Sequence, residues 1–207
     1  MKKYILSIDA GTTGITVILY DKKAQIVEKV YSEFKQIYPK PGWVEHDPIE
    51  IWNTTLRLIK KILSTINNNE VSSIGITNQR ETTLLWNKST SKPIYNAIVW
   101  QCNRTLDYCK ELKDSGYENL VSSKTGLLID SYFSATKIKW ILEHVNNTQK
   151  MLENDELLFG TIDSWLVWML TNGSSHITDY TNASRTLIFN IDTKKWDTEL
   201  LNLFQIP

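Results

Sequence analysis

The sequence predicts an α/β or α+β layer architecture around a mixed β-sheet. The 207 residues suit one large domain or two small ones. Short β-branched runs open the chain, and the order of elements is strands, one helix, strands and then mostly helices.

Residues 4–8 and 15–20 read as strands joined by Asp9-Ala10-Gly11-Thr12-Thr13-Gly14, and residues 25–34 follow the polar turn 21–24 as a third strand of a meander. Three prolines, Pro39, Pro41 and Pro48, make 37–48 an extended connection. Asp47 then reads as an N-cap, with Pro48 in the first turn and Glu50 at the position of a capping box. The expected core face of this helix is Trp52, Leu56, Ile59, Leu63 and Ile66, ending at Asn67-Asn68-Asn69. Residues 73–77 read as a short buried strand, and 82–86 and 94–100 as a hairpin about the turn 87–93. Helical patterns follow near 104–114, 117–124, 134–146 and 163–171, with a strand-like stretch at 186–191 before a helical tail.

Composition narrows the function classes. Formal charge is zero with signs interspersed, which gives no electrostatic stripe for nucleic acid or anionic lipid. The apolar run after Met1-Lys2-Lys3 breaks at Ser7 and Asp9, too short for a signal sequence, and no stretch approaches a membrane span, so a cytoplasmic location is expected. Cys102 and Cys109, seven apart, read as small residues on one helical face; His46, His144 and His176 have no second ligand at metal spacing. The Asn-x-Ser/Thr triplets carry no glycosylation meaning without a secretion signal.

Two constellations carry chemistry. The Gly11-Thr12-Thr13-Gly14 turn precedes a strand and lacks Lys, so it is not a Walker A loop. Backbone N–H groups and two hydroxyls can still hold phosphate, and Asp9 beside them makes sense with Mg²⁺ bridging carboxylate and nucleotide. A plain tight turn explains the same residues, and local physics leaves both readings open. Arg80-Glu81, at the end of the 73–77 strand, pairs a donor-only with an acceptor-only group, which suits a small polyol whose hydroxyls do both. A mutual salt bridge on a solvated loop is the competing reading. Trp100 and Tyr132 stand at element ends, where ligand sites gather, although either could be core. Asp163 reads as a helix cap; Asp179, Arg185 and His176 have no partner that sequence can name.

Together these residues resemble the N-terminal part of the glycerol kinases, in the FGGY family of carbohydrate kinases. The resemblance runs through Ile37-Tyr-Pro-Lys-Pro-Gly-Trp-Val-Glu-His-Asp-Pro48, Gly75-Ile-Thr-Asn-Gln-Arg-Glu-Thr-Thr83, Asn96-Ala-Ile-Val-Trp-Gln-Cys102, Asp179-Tyr-Thr-Asn-Ala-Ser-Arg185 and the stretch 132–144, which fits the family's first signature. It implies an actin-like, RNase H-like ATPase fold, of which residues 1–207 form an N-terminal domain that stops short of its C-terminal end and lacks the second lobe. It implies Arg80, Glu81, Trp100 and Tyr132 as glycerol contacts, Gly11, Thr12, Thr13 and Gly14 as the phosphate loop, and Asp9 as the metal-side acid. The implied cofactors are ATP and Mg²⁺, and the implied reaction converts glycerol to sn-glycerol 3-phosphate in a full-length form expected to be a homo-oligomer. The alternatives are a kinase of another polyol or sugar, or a non-catalytic remnant or interaction module.

Two departures stand out. Similar glycerol kinases carry Ser-Ser-Arg or a close relative where this chain has Gly14-Ile15-Thr16, which removes a charge-assisted phosphate contact. The general-base aspartate and the adenine-binding lobe are expected beyond Pro207, so the chain alone is expected not to turn over.

Overall fold

The structure, a computed structural model, describes residues 2–207. The chain folds as two units: the first comprises the segment up to Gln36 and His46–Gln79, the second Ile37–Glu45 and Arg80–Pro207.

The first unit is built on the expected meander. Strands β1 (Tyr4–Ala10), β2 (Gly14–Tyr20) and β3 (Ile26–Glu33) pair antiparallel. A two-residue strand, β4 (Glu45–His46), straddles the boundary between the units and precedes helix α1 (Pro48–Leu63). After a single 3-10 turn at Asn68–Glu70, strand β5 (Val71–Asn78) joins β1 in parallel, giving the order β3-β2-β1-β5. Alternation places Leu6, Ile8, Ala10, Ile15, Val17 and Leu19 in the core, under α1.

Three expectations change here. The buried face of α1 is Ile51, Thr55, Leu58, Ile59 and Ile62, whereas Trp52, Leu56, Leu63 and Ile66 are half-buried flanks. The apolar stripe is wider than one row of residues, and packing chose its other edge. Asp47 does cap α1, accepting from the Ile49 amide at 2.8 Å, but Glu50 accepts from the Lys35 amide at 3.0 Å instead of closing a capping box. Strand β5 is an edge strand and largely exposed, with Ile74 47% accessible, not the buried strand that its apolar residues suggested.

In the second unit, β6 (Leu84–Asn87) and β7 (Ala97–Ile98) hold the arms of the expected hairpin through single bridges, Thr83 to Ile98 and Trp86 to Pro93. Helices α2 (Leu106–Asp114), α3 (Glu118–Thr125), α4 (Ser134–His144) and α5 (Thr148–Glu153) follow. The ladder of β6 is completed from afar by antiparallel β8 (Leu157–Gly160). Then come α6 (Ile162–Leu170), α7 (Tyr180–Ala183), the small pair β9 (Phe189–Asn190) and β10 (Lys195–Trp196), and α8 (Thr198–Leu203). Strand β8 and helix α5 were not expected from sequence. One core runs through Ile98, Cys109, Val121, Ile129, Ile138, Leu187 and Phe204. The Arg104 guanidinium is fully enclosed there, lying over Trp43 and Trp140 at 3.9 and 4.5 Å and pairing with Glu45 at 2.6 Å.

Cys102 lies before α2 rather than on it, so the two cysteines do not share a helical face; both are buried and free. Asp163 is not the cap of α6, because the helix starts one residue earlier. Its carboxylate instead accepts from the hydroxyls of Thr161 and Thr178. Among the described residues, no helix is long and apolar enough to cross a membrane.

Candidate functional sites

The glycine-threonine turn closes with the Gly11 amide donating to the Gly14 carbonyl at 3.0 Å. None of residues 9–14 adopts a left-handed conformation, so the turn lacks the alternating right- and left-handed backbone of an anion-binding nest. The need for glycine at position 14 is steric: an added Cβ would stand 2.7 Å from both the Ser32 carbonyl oxygen and the Tyr31 ring.

What shapes the turn is a set of ties to its carbonyls. The Gly11 carbonyl accepts from Gln79 Nε2 at 3.2 Å, that of Thr12 from Gln36 Nε2 at 3.0 Å, and that of Thr13 from the Phe34 amide at 3.4 Å. His46, fully buried, joins the two glutamines: Gln79 Nε2 donates to its Nδ1 at 3.2 Å and its Nε2 donates to Gln36 Oε1 at 2.6 Å. That pattern requires the neutral Nε2–H tautomer. Burial favours the same state, pushing the imidazole down to about 4. With three consecutive carbonyls engaged, the turn is stiffened, and Thr13 stays exposed at its tip.

Asp9 is exposed on β1, opposite Thr16 on β2 and Thr77 on β5. Residue 16, where the family resemblance leads one to expect a cation, is therefore the cross-strand neighbour of Asp9. Mg²⁺ is commonly held through one or two carboxylates, several waters and substrate phosphates, and Asp9 fits that single-carboxylate role. Among the described residues, no group of three or more His, Cys, Asp or Glu gathers as a metal site.

The polyol candidates lie in the second unit. Glu81 is 3% exposed and accepts from Arg185 Nε at 2.7 Å. The partner of Glu81 is thus a residue 104 positions away, not its neighbour Arg80. Arg80 is exposed and makes no hydrogen bond or ion pair among the described residues. The Arg185 guanidinium also lies over the rings of Tyr132 and Phe133, at 5.9 and 4.9 Å. Tyr132 and Trp100 are half-buried with ring centroids 5.2 Å apart. The structure therefore brings Glu81, Arg185, Tyr132 and Trp100 into one connected group, with Arg80 next to Glu81 in the chain.

Sequence reasoning left Arg185 unassigned and gave His46 no role beyond the absence of metal spacing. A buried carboxylate needs a cation, which is a signal for some such residue but not for which one. Of the other unassigned residues, Asp179 caps α7 and His176 Nε2 meets the Phe159 carbonyl at 2.7 Å. A separate cavity of about 740 Å³, lined by residues such as Ile138, Phe159, Ile188 and Leu201, includes none of the proposed glycerol contacts.

The model of the FGGY family of carbohydrate kinases, N-terminal domain, matches residues 4–207, and the chain belongs to that family. It is 55% identical over 207 residues to glycerol kinase 2 of Thermotoga maritima, covering 99% of this chain and 42% of the relative. It is 57% identical over 209 residues to a glycerol kinase of Bacillus cereus, covering 100% of this chain and again 42% of the relative. Among solved structures, Plasmodium falciparum glycerol kinase with ADP superposes with a TM-score of 0.92 at 38% identity, covering 98% of this chain and 41% of that one. Gluconate kinase from Lactobacillus acidophilus follows at 0.87 and 25% identity, covering 100% and 40%. The fold is the actin-like ATPase fold of these sugar kinases. The chain spans about two fifths of the length of its relatives, 42% in both cases.

Proposed function

We propose that this chain carries the glycerol site and the phosphate-side turn of an ATP-dependent glycerol kinase. The observation that supports it most is the division of labour in the second unit. Glu81 is buried and oriented by Arg185, while Arg80 beside it has its guanidinium uncommitted. A polyol hydroxyl can donate to the Glu81 carboxylate and a neighbouring hydroxyl accept from Arg80, which is how an acceptor-only and a donor-only group share one small ligand. The Trp100 and Tyr132 rings offer a wall for the carbon chain and limit its length.

ATP with Mg²⁺ supplies the transferable phosphoryl group and neutralises its charge. Toward it, Gly11, Thr12, Thr13 and Gly14 present the turn tied down by Gln36, Gln79 and His46, and Asp9 provides the metal-side carboxylate. Within the second unit Glu81 is held to Arg185, so its role is to orient the hydroxyl and not to remove its proton. The chain by itself is proposed to bind without turnover, in a protein that works in the cytoplasm and whose complete form is a homo-oligomer. Identities of 54–57% to glycerol kinases favour glycerol over a longer sugar.

Thermal-shift measurements with glycerol, erythritol, xylulose and gluconate test the reading. Stabilisation by glycerol above the others supports it; preferential stabilisation by a longer sugar or sugar acid refutes it.

A further inference from the structure

We propose that Lys137 is a positioning residue of the polyol site, its ammonium holding the 131–133 segment so that Tyr132 stands against Trp100. The proposal rests on the reading that these two rings line that site. Lys137 is wholly buried, yet it has no carboxylate partner among the described residues. Its Nζ donates instead to three consecutive backbone carbonyls, those of Ser131 at 2.5 Å, Tyr132 at 2.7 Å and Phe133 at 3.0 Å. Burial pulls the amine down to about 7, and the three acceptors oppose that pull, because an ammonium group has three hydrogens to donate and a neutral amine only two.

The placement is costly in two ways. A cation is removed from water, and it sits at the N-terminal end of α4, where the helix dipole disfavours positive charge. Helical side chains lean toward the N-terminus, so a lysine one turn into α4 can reach back over the segment that feeds the helix. A methionine would fill the same space without either cost. A residue selected for stability alone need not be lysine there.

The segment it ties touches Trp100 and Arg185 directly, and Glu81 through the residue that follows it. Tyr132 packs on Trp100 and Phe133, each at 5.2 Å between centroids, and Arg185 spans both rings. The next residue, Ser134, donates to the Glu81 carbonyl at 3.4 Å, and the Ala135 amide donates to the carbonyl of Thr186, adjacent to Arg185, at 2.9 Å. Freeing the three carbonyls would therefore release Tyr132 first.

The test compares wild type with K137M and K137Q in the 207-residue chain labelled with 3-fluorotyrosine, using Y132F to assign one of nine tyrosine resonances. The proposal expects a folded K137M in which the Tyr132 resonance shifts or broadens while the tyrosines of the first unit hold theirs, and glycerol affinity falls at least tenfold. K137Q, with two donors, is expected to lie between the two. An unchanged Tyr132 resonance in a folded variant overturns the proposal. So does loss of folding in both variants, which would make Lys137 a determinant of stability and not of the site. If the wild-type chain shows no glycerol binding, the functional reading fails while the fluorine spectra still judge Lys137.

Discussion

The buried histidine beside the glycine-threonine turn makes a quantitative prediction. His46 titrates near 6.5 in the unfolded chain and is pushed down to about 4 by burial in the fold. Between those values the unfolded state binds a proton that the native state refuses, so stability is fully present above pH 6.5 and is lost as pH falls toward 4. Each pH unit in that window is worth about 1.4 kcal/mol, and two units, from 6.5 to 4.5, give about 2 to 3 kcal/mol from this residue alone. Carboxylates also titrate at the acid end, Asp197 among them, so the contribution must be read as a difference. In H46Q the amide cannot titrate, and the wild-type stability relative to H46Q should decline by about 2 to 3 kcal/mol between pH 7.5 and 4.5. Urea unfolding at four pH values measures the difference, and ¹⁵N spectra of the histidines report the Nε2–H tautomer directly. A His46 that titrates near 6.5, or a stability difference between wild type and H46Q that stays constant from pH 7.5 to 4.5, would refute the network that ties the turn.

Further outcomes follow from other parts of the fold. R185M leaves the Glu81 carboxylate buried without its cation and should destabilise the chain by about 3 kcal/mol in chemical denaturation, more than E81Q does, because a broken buried pair costs more than a neutralised one. A double-mutant cycle with E81Q checks the coupling; strictly additive effects of the two changes would contradict the pairing. G14A forces a Cβ against the Ser32 carbonyl and should cost about 1 to 3 kcal/mol in the same measurement. Falling pH should also weaken the tie between α3 and α8. Burial alone would raise the Asp197 carboxyl, but the Lys124 ammonium, the Asn190 amide and the Leu200 N–H together hold it down to about 2. Its contribution is present above about pH 4 and lost as pH drops toward 2, so D197N should flatten the acid limb of the stability profile. A coupled ADP-release assay should find no glycerol-dependent turnover by the 207-residue chain.

The parts of the fold legible in sequence were those fixed by local rules. The meander followed from β-branched alternation, the start of α1 from Asp47-Pro48, and α2, α3, α4 and α6 from periodicity, each within two residues at both ends. Long-range pairing was not legible. β8 completes the ladder of β6 from about seventy residues away, and nothing in Leu157–Gly160 distinguishes it from a helix end. Edge position defeated the reading of β5, because exposure of a strand depends on what else joins the sheet. The site shows the same division. As candidates, Arg80, Glu81, Trp100 and Tyr132 were singled out by their chemistry and by the family resemblance, whereas the contacts of Arg185, Lys137 and His46 span 4 to 104 residues. Two of those three are buried polar groups whose role only their partners reveal.

The central claim is that the second unit carries a glycerol site in which Glu81 is the acceptor. Isothermal titration of glycerol into the chain and into E81Q tests it most directly. The account predicts saturable one-to-one binding to the wild type that E81Q weakens by at least tenfold while its thermal unfolding stays cooperative. Equal affinity in the two proteins, or no binding to the wild type at concentrations that saturate its relatives, would contradict it.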